Sequence, residues 1–189
     1  MGMSLVYNPF VWVYLISALA LLITFVLSVA KKSRDYLWQI IQLMVMFWCI
    51  GFALQISCTD LKDMFFWYVI ANDFVGMKVP CVLLLWSLVI TGRNKLLCGY
   101  KVGLIFTLPV VTDILNITNH FHGLMYRKTW VENYNGNAVM RYELGYWYWV
   151  VTVYCCILLF VVSAMLINDA LNRRLLYNRH GITISLVTM

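Results

Sequence analysis

Residues 144–167 read LGYWYWVVTVYCCILLFVVSAMLI, with no charged side chain between Glu143 and Asp169. A run of that length and apolarity meets the roughly 20 residues that a bilayer-crossing helix needs. Working outward, four more such runs cover about 9–30, 36–56, 65–92 and 102–117. Strands of a membrane barrel would alternate apolar and polar residues over about 10 positions, and these runs do not. Hydrophobic residues make up 63% of the chain and charged residues 12%, against roughly 25% charged in a soluble domain. The sequence therefore predicts an all-α, polytopic helical membrane bundle, a single transmembrane domain over 1–189 with the lipid bilayer as its first partner.

The gaps between runs set an orientation. Lys31, Lys32 and Arg34 follow the first run, Arg93 and Lys95 the third, and Arg173, Arg174 and Arg179 the fifth. Cytoplasmic loops collect Lys and Arg. The expected arrangement thus has the N-terminus outside, an outer polar loop over about 118–143 and a cytoplasmic tail over about 168–189. Arg127, Lys128 and Arg141 run against the rule within that one long loop. The net charge of +6 reads as topology, and no nucleic acid is expected as a partner. No basic residue precedes the first run, and its apolar core exceeds the roughly 7–15 residues of a removable signal, so it reads as a reverse anchor. In the tail, Gly181 to Val187 reads as the start of a sixth apolar segment, which suggests a truncated chain. Cys49, Cys81, Cys155 and Cys156 fall inside runs and only Cys58 near the outer face. Small apolar packing residues are expected there, not a disulfide framework.

Ionisable groups inside a bilayer are costly and usually face the bundle interior. Lys78 stands 15 residues outward of Arg93 and Asp113 stands 12 outward of Lys101, about 22 and 18 Å at 1.5 Å per residue. Antiparallel neighbours could pair them at one depth; the competing reading has both snorkel to the outer interface. Asp73 lies at the outer boundary. Pro80 cannot donate to the carbonyl of Gly76, so the third run should kink, and Pro109 invites the same reading in the fourth.

The outer stretch holds His120 and His122, whose spacing points them to different sides of a helix. No carboxylate or thiol lies close in sequence, so neither a metal nor another cofactor is expected. Trp147 and Trp149 suit an interfacial belt. Alternatively the rings, with His122, line an outward pocket for a small or lipidic ligand. Belt and pocket both stay open. The candidate ligand-binding residues are Asn119, His122, Tyr126, Trp147 and Trp149, with Lys78 and Asp113 as interior contacts; no catalytic residue is expected.

Trp86, Thr91-Gly92-Arg93, Pro109, Thr118-Asn119, His122, Leu124, Gly145, Trp147, Trp149 and Tyr154 together resemble the amino-terminal seven-helix membrane region of bacterial sensor histidine kinases, which also fronts some diguanylate cyclases. The resemblance is best between Pro80 and Tyr154. It implies an input module in the bacterial cell membrane that passes an extracytoplasmic or membrane-borne stimulus to a cytoplasmic kinase or cyclase by helix movement, and a homodimer when part of a kinase. Gly123 stands where that pattern often has a second histidine, and Cys155-Cys156 where it has an aromatic or serine-tyrosine pair. The sequence carries no phospho-acceptor helix and no Gly-rich phosphate loop. A small transporter subunit is the competing reading, though no inverted repeat is visible. A regulatory membrane partner acting by helix packing is the third.

Overall fold

The computed structural model describes residues 8–97, 99–134 and 137–171. The tail with Arg173, Arg174, Arg179 and the start of a sixth apolar segment lies outside the described residues, as does Cys98. Among the described residues five helical passages are long and apolar enough to cross a bilayer, so this is a multi-pass membrane protein. They are α1 (Val11–Ala30), α2 (Tyr36–Ser57), a composite third span (Leu61–Ile90), α5 (Gly99–Ile117) and α7 (Tyr146–Leu171). The third span starts at Leu61, ahead of the expected 65, because the Asp60 carboxylate caps it by accepting the Lys62 N–H at 3.2 Å.

Among the described residues, the strands that depart from the helical pattern lie in the expected outer loop. After a single turn, α6 (Asn119–His122), the chain forms an antiparallel hairpin of β1 (Tyr126–Tyr134) and β2 (Asn137–Leu144). Asn135-Gly136 separates its strands in sequence, the residue pair that two-residue hairpin loops prefer. Between Tyr126 and Lys128 the register slips by one residue, which makes Arg127 the extra residue of a β-bulge.

The third span is not one helix. It comprises α3 (Leu61–Tyr68), a π-helical stretch (Val69–Val75), a 3-10 turn (Gly76–Lys78) and α4 (Val79–Ile90). Pro80 explains the 3-10 turn. Lacking an N–H, it cannot supply the Gly76 carbonyl, and the Val79 N–H takes that carbonyl instead, one residue early. At the position where the sequence places a kink, the helical pitch changes from π to 3-10 to α.

Pro109 raises the same problem in α5, with a different answer. It orphans the carbonyl of Ile105, four residues earlier. The Tyr154 hydroxyl of α7 donates to that oxygen at 2.6 Å, and the Cys81 thiol of α4 approaches it at 3.8 Å. Unsatisfied backbone groups are costly in hydrocarbon, so the proline fixes which face α7 must turn to α5. Beside this contact Cys81, Leu84, Leu88, Leu158 and Val162 form one of two buried clusters. The other, under the hairpin, contains Met64, Tyr68, Met77, Met125, Tyr126, Met140 and Val151. Helix α1 packs chiefly on α2, through Gln42 to Thr24 at 3.0 Å and Gln39 to Ser28 at 3.3 Å.

The opposite end of the bundle is closed by polar caps. Asp35 accepts the Trp38 N–H at 3.2 Å and the Trp86 indole N–H at 2.9 Å, so one carboxylate starts α2 and holds α4. Helix α4 stops in a Schellman motif, with Arg93 N–H on the Leu88 carbonyl and Gly92 N–H on that of Val89.

The link between Tyr154 and Pro109 predicts a coupled mutant cycle. Tyr154→Phe should cost about 1 kcal/mol in detergent unfolding. In a Pro109→Ala background, where residue 109 regains an N–H for Ile105, the loss should shrink. Equal losses in both backgrounds would refute the link.

Candidate functional site at the hairpin end

The junction between α5 and the hairpin is tied by two side chains. Asn119 accepts the backbone N–H groups of Met125 at 2.9 Å and Tyr126 at 3.2 Å, and its amide donates to the Tyr126 carbonyl at 2.9 Å. His122 accepts the Leu124 N–H on Nδ1 at 3.0 Å, which leaves Nε2 to face the Thr118 hydroxyl at 3.1 Å. Both residues thereby act as local supports for the turn into β1. Gly123 sits between them with φ +60°, a left-handed conformation that a histidine would adopt only with strain. Gly145, just after β2, closes the base of the hairpin. A Cβ there would run into the Leu124 carbonyl oxygen, because Gly145 N–H and Trp147 N–H bond the Met125 and Leu124 carbonyls at 2.7 and 3.0 Å.

These ties aim Tyr126 into the bundle. Its ring is only 3% exposed, edge-on to Phe65 at 5.4 Å and Tyr68 at 5.8 Å, with Tyr142 and Tyr148 at 6.0 and 5.9 Å. Its hydroxyl lies 2.9 and 2.8 Å from the two carboxylate oxygens of Asp73. Asp73 belongs to the π-helical stretch and is 1% exposed; Asn72 also donates to it at 3.0 Å. Burial, and then the carboxylate itself, push the Tyr126 phenol well above its ordinary value. The unfolded phenol ionises near pH 10 and the folded one does not, so this group supports folding below about pH 10 and the support fades above it.

One turn further in, Lys78 and Asp113 do form the ion pair, at 2.8 Å. The same ammonium donates to the Phe74 carbonyl at 2.6 Å. Trp147 turns inward and donates to the Thr112 hydroxyl at 3.0 Å, whereas Trp149 is 58% exposed on the outside of α7. The structure thus distributes the candidate residues. Asn119, His122 and Tyr126 line one open cleft of about 770 Å³, Trp147 and Trp149 lie apart from it, and Lys78 and Asp113 lie beneath. Sequence reading did not single out Arg127 or Tyr146 for this cleft; the guanidinium of Arg127 lies over the Tyr146 ring at 4.4 Å. The described residues contain no cluster of three His, Cys, Asp or Glu side chains able to hold a metal.

The profile of the N-terminal 7TM region of histidine kinase matches residues 5–189. The chain belongs to that family. The family is a membrane sensor region and not a catalytic domain. No curated protein and no solved structure matches the chain. Residues that carried the resemblance now have physical roles. Trp86 donates to Asp35, Tyr154 serves the carbonyl that Pro109 orphans, Thr118 and Asn119 with His122 build the turn, and Gly145 permits its closure.

Tyr126→Phe should destabilise the hairpin by about 1.5–3 kcal/mol, since it removes a hydrogen bond to a buried carboxylate. Faster amide hydrogen exchange across 126–144 would show it; exchange unchanged there would refute the anchoring role. Gly145→Ala should loosen the same amides more strongly, because backbone must move to admit the Cβ.

Proposed function

We propose that the chain is the sensory input region of a bacterial signal-transduction protein, embedded in the inner membrane with its N-terminus and hairpin extracytoplasmic. It relays events at the hairpin to a cytoplasmic kinase or cyclase through displacement of the third span, and acts as a homodimer within a kinase. The contact of Tyr126 with Asp73 carries this reading. It fastens a segment outside the bilayer to the irregular part of a membrane helix. A π-helical and 3-10 stretch can exchange hydrogen-bond partners between neighbouring carbonyls, so a small pull on Asp73 can change the pitch that reaches α4. The orientation is supported by Lys31, Lys32, Arg34, Arg93 and Lys95 at the end away from the hairpin.

Two measurements test the proposal. Alkaline phosphatase inserted at Gly136 should be active and at Asn94 inactive; the reverse pattern would invert the topology. In the full-length protein, Tyr126→Phe should shift kinase or cyclase output roughly fivefold or more, the scale of a coupling near 1 kcal/mol. Unchanged output with folded, membrane-inserted protein would refute the relay.

A further inference from the structure

The cleft at the hairpin end has a one-sided chemistry. Arg127, Lys128 and His120 line it, and among the described residues no Asp or Glu does. Consecutive strand residues ordinarily point to opposite faces. Here the bulge at Arg127 breaks that alternation, and both Arg127 and Lys128 line the same cleft. Neither cation forms an ion pair among the described residues, although Glu143 stands opposite Lys128 in the ladder. The nearby Arg141 is already paired with Glu132 at 2.9 Å. The Arg127 guanidinium carbon lies over the Tyr146 ring at 4.4 Å, and a guanidinium fork suits a carboxylate or phosphate.

Phe65, Ile117, Phe121 and Leu124 give the cleft apolar lining as well, and Phe121 is 79% exposed. Helix α5, ending at Ile117, is 19 residues long, about 28 Å at 1.5 Å per residue, so the cleft opens where hydrocarbon gives way to headgroups. Asn116 is also among its lining residues, and its side-chain amide lies beside the Asp73 carboxylate.

From this we propose that the cleft binds an anionic amphiphile, its carboxylate or phosphate held by Arg127 and Lys128 and its apolar chain along Ile117 and Phe121. The site rests on the sensor reading above and gives it a ligand class. Tyr126 links the two, because it lines the cleft while its hydroxyl holds Asp73.

The test uses the full-length protein in phosphatidylcholine nanodiscs, with binding read by native mass spectrometry and calorimetry and so independent of kinase output. Oleoyl lysophosphatidic acid and oleate should bind at least tenfold more tightly than oleoyl lysophosphatidylcholine, and inorganic phosphate should not compete. Arg127→Ala/Lys128→Ala should weaken both anionic probes at least tenfold, whereas Arg141→Ala should leave them unchanged. Equal binding of the zwitterionic probe, or an equal loss in Arg141→Ala, would overturn the site. Competition by inorganic phosphate at similar concentration would assign the cleft to a free anion and overturn the amphiphile. Normal binding with unaltered signalling would leave the site standing and refute only the relay.

Discussion

The Tyr126 hydroxyl meets both oxygens of Asp73 in an aromatic shell of Phe65, Tyr68, Tyr142 and Tyr148. A carboxylate at that depth is costly unless its lone pairs are occupied. The hairpin supplies the donor, so it cannot lift away without exposing Asp73 to an apolar interior. The short ties made by Asn119, His122 and Gly145 gain their meaning from this contact, because they set where Tyr126 enters the bundle.

A second constraint runs through the membrane-spanning part. Hydrocarbon offers no water to a stranded carbonyl, and two prolines strand one each. Gly76 is served within its own helix by an early turn; Ile105 is served across the bundle by Tyr154. The first solution alters helical pitch directly below Asp73, and the second locks α7 to α5. Lys78 joins the two regions by bonding the Phe74 carbonyl and the Asp113 carboxylate together. The irregular third span is thus held by side chains of the hairpin and of α5.

Parts of this were legible in the residues. Apolar run length gave the five spans, and depth counting from basic residues brought Lys78 level with Asp113. Pro80 and Pro109 announced lost hydrogen bonds. The hairpin left one legible mark, Asn135-Gly136, but the polar character of 118–143 masked it as loop. The role of His122 was not legible: a histidine beside a membrane boundary reads as a ligand contact as easily as a support for a turn. Arg127 looked like an exception to a charge rule, and only the strand register shows why it lines the cleft.

By itself the sequence determined the solvent. A chain this apolar, with charges confined to gaps and a few interior positions, must satisfy its backbone inside helices, and the spans follow from that. The tertiary structure decided which partners complete the exceptions: that Tyr154 answers Pro109, that Tyr126 answers Asp73, and that a one-residue bulge aims two cations into one cleft. Those choices rest on contacts between residues apart in the chain, 49 and 53 positions for the two tyrosines and the pairing of β1 with β2 for the bulge. Periodicity and local propensity describe a segment's own faces and carry no information about which distant donor will fill a vacant acceptor.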